Sequence, residues 1–306
     1  MMSILKRSSV LLLLLLMLVG AVLMACSKEA ESKEENPKVV EEKTDKGSEA
    51  FKKLEDEFDV KLGVYAIDTG SNKEINYQEN DRFAYASTFK PLVVGAILQT
   101  KSDPELQEVI RYTEEDLVTY SPITEKHVDE GMTLLEISDA AIRYSDNTAA
   151  NLLLEAIGGP DELETKLRDI GDETIEVDRY ETELNEATPG DIRDTSTPKA
   201  MANSLQQYVL EDVLDADRRE ILTNMLINNT TGDALIRAGV PEGWTVGDKT
   251  GAGGYGTRND IGIIWPEDNE EPIVIAIMSS RDVEDADYDD KLIEKATKIV
   301  VKELSN

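Results

Sequence analysis

Strand-like segments occur near the two ends of this chain, and the long middle is helical in its apolar spacing. The strand-like segments are residues 61–68, 74–78, 244–250, 257–265 and 272–280. Helical spacing runs for about 140 residues from Ser87, and shorter helical segments lie at 49–58 and 287–304. We therefore expect an α+β fold with two lobes: an antiparallel sheet built from the N- and C-terminal segments and flanked by helices, and an inserted all-helical lobe. The functional site should lie in the cleft between them.

The same pattern suggests where the lobes begin and end. The sheet-containing lobe is expected to comprise residues 49–85 and 228–306, and the helical lobe residues 86–227. Residues 175–197 interrupt the helical period, because they are polar, rich in Asp and Glu, and broken by Pro189-Gly190. A loop of that length in a compact domain usually has a function.

Local signals predict several helix ends. Thr133 and Glu136 form a capping box before an apolar helix. Gly158-Gly159-Pro160 should end one helix, and Asp161 with Glu164 should open the next.

The N-terminus reads as a targeting segment. Residues 1–25 combine the basic Lys6 and Arg7 with an apolar run too short for an ordinary membrane span, which is typical of a signal peptide. The run ends at Cys26 in a sequence that resembles a bacterial lipobox, where the cysteine takes a lipid. Residues 26–48 are rich in Lys and Glu and predict a flexible tether. We expect an exported protein, lipid-anchored to the outer face of the bacterial cytoplasmic membrane, with a released soluble form or plain signal cleavage as alternatives.

Composition excludes several classes of function. The net charge of −31 argues against nucleic-acid binding, which needs a basic surface. One histidine and one cysteine leave no disulfide and too few ligands for a zinc enzyme, so we expect no metal and no cofactor. An acidic surface also suggests adaptation to high salt, a hypothesis that loss of activity in concentrated salt would contradict. Nothing in the sequence requires more than a monomer.

Four short motifs follow one another along the chain. They are Ser87-Thr88-Phe89-Lys90, Ser145-Asp146-Asn147, Glu181-Thr182-Glu183-Leu184-Asn185 and Lys249-Thr250-Gly251. Each motif alone is weak evidence of function, because it has an ordinary structural interpretation. In the same order, these are a helix start, a cap-rich interhelical turn, a solvated acidic loop and an edge-strand turn. Their occurrence together and in this order favours a catalytic interpretation.

The first motif carries a plausible nucleophile and its base. A serine hydroxyl reacts only when a neighbouring group takes its proton. Ser87 and Lys90 are one helical turn apart, so the amine can reach the hydroxyl. The flanking residues are apolar, which predicts a buried helix, and burial lowers the pKa of a lysine.

Three other patterns are weaker than they look. Residues 251–256 match G-x-G-x-x-G, but a strand rather than a helix follows, so we expect a glycine-rich hairpin and no dinucleotide site. His127 lies in a charged stretch and no G-x-S-x-G elbow exists, so a Ser-His-Asp hydrolase is disfavoured. Asp285, Asp287 and Asp289 lack the glycine of a calcium loop and indicate an acidic helix start.

The ordered motifs resemble those of class A serine β-lactamases. The resemblance extends from about Glu49 to the C-terminus and includes the stretch around Tyr120-Ser121-Pro122. It implies that Ser87 attacks the lactam carbonyl and forms an acyl-enzyme, in a protein whose partners are small β-lactam antibiotics.

The resemblance also assigns the remaining residues. The backbone N–H groups of Ser87 and Ala252 would form the oxyanion hole, with Gly251 allowing close backbone approach, and Tyr112 would be an aromatic wall at the cleft mouth. The implied partners of the substrate carboxylate are Lys249, Thr250, Ser145 and Arg258. Ser145 would also relay a proton to the leaving nitrogen, and Asn147 would bind the substrate amide.

Glu181 determines whether the acylated enzyme is hydrolysed. In the family this glutamate and Asn185 hold the water that hydrolyses the acyl-enzyme. Arg179 and Asp194 match the ion pair that fixes the two ends of the loop. Thr182 departs from the family, where many relatives have proline and the peptide is often cis. Whether Lys90 or Glu181 is the base for acylation is left open.

Two relatives of this chemistry stay as alternatives. A D-alanyl-D-alanine carboxypeptidase or other penicillin-binding protein shares the Ser-Lys, Ser-x-Asn and Lys-Thr-Gly elements and lacks the glutamate loop. A non-hydrolysing penicillin receptor would be acylated and stay so.

Overall fold

Five antiparallel strands form the central sheet, in the order β2-β1-β9-β8-β7. In this computed structural model, residues 46–267 and 270–305 are described; the signal segment, Cys26 and most of the tether lie outside them. The strands are β1 (Lys61–Asp68), β2 (Lys73–Tyr77), β3 (Phe83–Ala84), β4 (Val109–Ile110), β5 (Met132–Thr133), β6 (Thr195–Ser196), β7 (Thr245–Ala252), β8 (Arg258–Trp265) and β9 (Ile273–Ser280). The predicted sheet of N- and C-terminal segments is confirmed, because β1 pairs with β9 from Lys61↔Ser280 to Asp68↔Ile273.

Helices fill the sequence between β3 and β7 and flank the sheet at both chain ends. They are α1 (Lys46–Phe58), α2 (Lys90–Thr100), α3 (Asp103–Leu106), α4 (Leu134–Arg143), α5 (Asn147–Ile157), α6 (Pro160–Asp169), α7 (Pro198–Val209), α8 (Ala216–Ile227), α9 (Ile236–Gly239) and α10 (Lys291–Leu304). None of the helices in the described part of the chain combines the length and apolarity needed to cross a membrane.

Both faces of the sheet are buried. Successive side chains of a strand point to opposite faces, and on β9 both sets are apolar and buried. On β9, Ile275 and Ile277 share a cluster with residues of α1 and α10. Ala276 and Met278 face the other way and belong to the cluster that contains the inserted helices. This second cluster joins the sheet to the helical middle of the chain, at the level where the motif residues lie. The mixed α/β fold is therefore confirmed, while the residue boundaries of the two lobes stay a prediction.

Two helix starts differ from the prediction. Helix α6 begins at Pro160, whose fixed φ suits the first helical position, and its cap is Gly159 with φ 100°. Glu164 accepts a hydrogen bond from Val177 N and does not form the predicted helix start with Asp161. Helix α10 begins at Lys291 rather than near Asp287, so residues 281–290 form a connection that reaches the catalytic cleft. The predicted capping box at Thr133 and Glu136 is present.

Candidate active site

Ser87 lies in a short 3-10 turn, Ala86–Phe89, that leads directly into α2. Lys90 is the first residue of that helix, and its side chain is fully buried (0% exposed) because the first turns of α2 are apolar all round. The spacing Ser-x-x-Lys thus keeps Ser87 at the cleft surface and buries the Lys90 amine, while transfer of the hydroxyl proton to that amine stays a prediction.

Four acceptors surround the Lys90 ammonium, of which Ser145 Oγ is the most distant at 3.4 Å. Nζ donates to Ser145 O at 2.9 Å and to Asn147 Oδ1 at 2.7 Å, and it lies 3.1 Å from Glu181 Oε1. Burial lowers the pKa of Lys90, and the adjacent Glu181 carboxylate opposes that shift. A buried amine with a lowered pKa can lose its proton at moderate cost, which a base requires.

The Ser145-Asp146-Asn147 motif joins α4 to α5, and Ser145 has a positive φ of 57°. Asp146 is structural: it caps α5 by accepting from Ala149 N and also accepts from Ile123 N. Its neighbours on either side, Ser145 and Asn147, line the cleft. The turn interpretation therefore holds for Asp146, while the other two motif residues face the cleft.

Glu181 and Asn185 form a tight pair in the 175–197 loop. Asn185 Nδ2 donates to Glu181 Oε2 at 2.5 Å, and Asn151 on α5 fixes the Glu181 backbone by donating to its carbonyl at 2.9 Å and accepting from its N–H at 2.8 Å. Glu181 Oε1 and Asn185 Oδ1 are both buried; Asn185 Oδ1 has no hydrogen-bond donor among the described residues, and Glu181 Oε1 accepts no hydrogen bond there but forms an ion pair with Lys90 Nζ at 3.1 Å. Two neighbouring buried acceptors suit one molecule with two hydrogens to donate. The Glu181–Thr182 peptide is cis.

The loop is closed by the ion pair expected from the sequence. Arg179 Nε donates to Asp194 Oδ2 at 2.5 Å, and the Asp194 carboxylate is fully buried. Asp194 Oδ1 also accepts from the N–H groups of Asp178 and Arg179 at 3.0 Å and from the Tyr85 hydroxyl at 3.1 Å. One carboxylate therefore ties the start of the loop to its end and to the segment before Ser87.

Strand β7 brings Lys249, Thr250 and Gly251 alongside Ser87. Lys249 Nζ donates to Ser145 Oγ at 3.0 Å, and burial together with the nearby Lys90 charge lowers the pKa of Lys249 to about 7. A Cβ added at Gly251 would lie 2.9 Å from Tyr85 O and 3.3 Å from Ser87 N, so only glycine allows the strand to approach the turn so closely. This contact brings the strand that carries Ala252 against the Ser87 backbone.

Arg258 opens β8 and lines the same cleft. Its Nε donates to Asp290 Oδ1 at 2.7 Å, and its guanidinium lies 4.7 Å from the centre of the Tyr288 ring. Tyr288 and Asp290 come from the 281–290 connection, which the sequence interpretation had assigned to a helix start. Thr231, whose hydroxyl lies 2.7 Å from that of Thr250, is a further cleft residue without a sequence signal.

The prediction for Tyr112 is wrong. Tyr112 is 5% exposed and its hydroxyl donates to Thr124 O at 2.8 Å, so its ring belongs to the core of the helical region. Tyr120, 58% exposed and with a positive φ of 65°, lines the cleft instead. The stretch containing Tyr120 was recognised in the sequence, and only the side-chain environment separates the two tyrosines.

The glycine-rich segment after β7 is a hairpin connection, as predicted. Strands β7 and β8 pair from Thr245↔Trp265 to Ala252↔Arg258. Gly254 N donates to Asn185 O at 2.8 Å, which ties this hairpin to the 175–197 loop.

His127 pairs with Glu130 at 2.8 Å and is partly exposed. Across residues 46–267 and 270–305, no three His, Cys, Asp or Glu side chains are grouped to hold a metal ion.

Together these residues surround a cleft of about 420 Å³. It is lined by Ser87, Tyr120, Ser145, Asn147, Asn185, Thr231, Thr250, Gly251, Ala252, Arg258 and Tyr288. The site combines a serine above a buried lysine, a glutamate–asparagine pair and two further cations on one side of the cleft. This arrangement defines an acyl-transferring serine enzyme that recognises an anionic substrate.

Comparison with known proteins identifies the family. A model of the "Beta-lactamase enzyme family" matches residues 46–304. A β-lactamase of Bacillus licheniformis is 58% identical over 255 residues, which is 83% of either chain. A solved structure of a halotolerant bacterial β-lactamase is 86% identical with a TM-score of 0.83, covering 84% of this chain and 98% of the other. A class A β-lactamase structure from Clostridium kluyveri is 50% identical, with a TM-score of 0.83 and coverage of 85% and 98%. This chain belongs to the class A serine β-lactamases.

Proposed function

We propose that this enzyme hydrolyses the β-lactam amide bond of penicillin- and cephalosporin-type antibiotics through a Ser87 acyl-enzyme, and thereby confers antibiotic resistance. The observation that carries the proposal is the Glu181–Asn185 pair: each side chain has a buried oxygen that accepts no hydrogen bond within the described structure, and that of Glu181 forms an ion pair with Lys90 at 3.1 Å. A carboxypeptidase or a receptor needs the nucleophile, but it does not need this pair.

Acylation begins when Ser87 Oγ attacks the lactam carbonyl carbon and gives up its proton to Lys90 or, through a water, to Glu181. The carbonyl oxygen becomes an oxyanion, which the N–H groups of Ser87 and Ala252 stabilise. Collapse of this intermediate breaks the C–N bond and leaves an ester on Ser87. The departing nitrogen takes its proton from Ser145, which is hydrogen-bonded to both Lys90 and Lys249 and is reprotonated through them.

Deacylation uses the two buried oxygens of this pair, Glu181 Oε1 and Asn185 Oδ1. A water molecule that donates to Glu181 Oε1 and Asn185 Oδ1 has its own oxygen free to attack the ester carbon. Glu181 takes one proton as the new C–O bond forms, and the Ser87–acyl bond breaks with return of a proton to Oγ. The opened, negatively charged product is then released, and the enzyme is regenerated without a cofactor.

Substrate orientation is assigned to the cations and hydroxyls of the β7–β8 edge. Lys249, Thr250, Ser145 and Arg258 bind the carboxylate that penicillins and cephalosporins share, and Asn147 binds the side-chain amide. Tyr120 and Tyr288 replace Tyr112 as the aromatic groups beside the substrate.

Export and anchoring complete the proposal. The sequence of residues 1–25, Cys26 and the 26–48 tether supports a lipid-anchored enzyme on the outer face of the bacterial cytoplasmic membrane. A monomer is sufficient, because every proposed catalytic group comes from one chain. The net charge of −31 and the halotolerant relative at 86% identity both support adaptation to high salt.

Turnover of a chromogenic cephalosporin tests the activity directly. We expect sustained hydrolysis, and we expect Ser87→Ala to reduce kcat at least about 10³-fold because no nucleophile is left. A single stoichiometric burst would instead indicate a receptor. Hydrolysis of D-alanyl-D-alanine peptide without lactam turnover would indicate a carboxypeptidase.

The pH dependence should depend on Lys249. Because the pKa of Lys249 is lowered to about 7, the ammonium is present below that pH and lost above it. We expect kcat/KM for a penicillin to fall on the alkaline side as carboxylate binding weakens, with a midpoint well below that of an ordinary lysine. In Lys249→Arg, the midpoint should move to higher pH because the guanidinium stays charged. Profiles with the same alkaline midpoint in both enzymes would exclude Lys249 as its origin.

A further inference from the structure

A second cavity, of about 380 Å³, lies between the 175–197 loop, the start of β1 and the end of β9. None of its lining residues belongs to the catalytic cleft. The proposed reaction does not use it.

Positive charge is concentrated around this cavity, although the chain as a whole carries −31. Five cationic side chains line it: Lys61, Arg82, Arg179, Arg193 and Arg281. Only two carboxylates, Asp191 and Asp282, line it with them. Among the lining residues alone, cations therefore outnumber carboxylates.

Four of the five cations already have carboxylate partners. Lys61 pairs with Asp81 at 3.0 Å and Arg82 with Glu176 at 3.7 Å. Arg179 pairs with Asp194 and Arg193 with Asp191, as parts of the loop. Arg281 differs, because none of the carboxylates in the described residues forms an ion pair with it, and its buried Nε has no hydrogen-bond acceptor.

A second polar atom in the same cavity is also without a partner. Thr257 is 1% exposed, and its Oγ1 has no hydrogen-bond partner among the described residues. Both side chains line this cavity, and Arg281 packs against the turn that leads to Thr257: Arg281 N donates to Tyr255 O at 2.6 Å, and the Arg281 Cδ lies 2.9 Å from where a Cβ on Gly256 would be. A buried donor without an acceptor is costly, and both of these atoms can donate.

We propose that this cavity binds a small tetrahedral oxyanion, of the class of inorganic phosphate or sulfate. Arg281 Nε and the Thr257 hydroxyl donate to it, and the remaining cations of the cavity supply a favourable field. The bound oxyanion connects the 252–257 hairpin to Arg179 and Arg193 of the 175–197 loop. Since Gly254 already bonds to the Asn185 carbonyl, the anion holds the loop and the hairpin together from a second side.

Thermal unfolding of the purified chain tests the proposal, with sodium phosphate compared against sodium chloride at equal ionic strength. At ten times Kd we expect the midpoint to rise by about 3–5 °C in phosphate, because the anion binds only the folded state. Arg281→Gln and Thr257→Val should each abolish the rise. Thr257→Val removes a hydroxyl that makes no bond within the described structure, so this variant should fold and be at least as stable in chloride.

Arg111→Gln is the matched control, because Arg111 is exposed, bonds only to the Asp129 carbonyl and lies outside the cavity. It should keep the full rise. Calorimetric titration with phosphate should give one binding site, and Arg281→Gln should remove it. The titration is repeated with sulfate, and equally tight binding of sulfate would assign the site to oxyanions in general. A phosphate effect that survives in Arg281→Gln would place the anion at Lys249 and Arg258 and would overturn the proposal. No phosphate-specific rise in the wild-type chain would overturn it as well.

Discussion

Glu181→Gln should convert the enzyme into one that is acylated and then stays so. Glutamine keeps the size of the side chain but cannot take a proton from water, so the ester on Ser87 should persist. We expect kcat to fall about 10³-fold, within the range that a positioned general base provides. Intact-protein mass spectrometry should show the chain carrying one ring-opened lactam, and a chromogenic cephalosporin should give a burst followed by a slow steady state.

Glu183→Gln is the matched control for that experiment. Glu183 lies two residues away in the same loop, carries the same charge and is exposed. Its substitution removes the same charge from the loop without touching Lys90 or Asn185, so turnover should stay near that of the wild-type enzyme. A Glu181→Gln enzyme that turned over within a few-fold of wild type would refute the assigned role. Loss of acylation together with deacylation would instead make Glu181 the base for both steps.

Asp194→Asn should weaken the loop more than any other single charge removal within it. The carboxylate is fully buried and accepts hydrogen bonds from two backbone N–H groups, from the Arg179 side chain and from Tyr85. Removing the Asp194 charge breaks this buried pair and leaves Arg179 with the more exposed Glu186 as its carboxylate partner, so we expect the free energy of unfolding to fall by about 3 kcal/mol. For a chain of this size that corresponds to about 6–10 °C in the midpoint of thermal unfolding.

The rates of acylation and deacylation in Asp194→Asn distinguish a role in positioning the loop from a general destabilisation of the enzyme. Glu181 and Asn185 belong to the loop that Asp194 closes, whereas Ser87 and Lys90 lie on α2 and the turn before it. Single-turnover measurements should therefore show deacylation slowed more than acylation. Asp191→Asn, which breaks the more exposed pair with Arg193 in the same loop, should leave both steps and the midpoint nearly unchanged. Equal loss in both steps of Asp194→Asn would contradict the positioning role.

The structural features that were predicted correctly are those with a signal in a short segment of the sequence. Near-continuous apolar runs in β1 and β9 indicate a sheet buried on both faces. The Ser87–Lys90 spacing followed from short-range helix geometry, whereas the Arg179–Asp194 pair was implied by the family resemblance.

The errors concern residues whose environment comes from distant segments. Tyr112 and Tyr120 both have polar neighbours in the sequence. Only the hydrogen bond of Tyr112 to Thr124 and the positive φ at Tyr120 distinguish the buried tyrosine from the exposed one. Asn151 on α5 had no motif to distinguish it from other helical asparagines, although it fixes the Glu181 backbone. Asp290 lay in an acidic run that suggested a helix start, and its contact with Arg258 depends on how β9 is joined to α10.

The pairing of β1 with β9 has a consequence for how the chain can be made and exported. Lys61 meets Ser280, so more than 200 residues must be available before the first strand can find its neighbour. Contacts of such sequence separation form slowly, because the entropy of closing the loop is lost before the contact is gained. A chain emerging N-terminus first therefore cannot complete its sheet until almost all of it has been synthesised. This delay is compatible with the proposed export, because a narrow channel admits only an unfolded polypeptide.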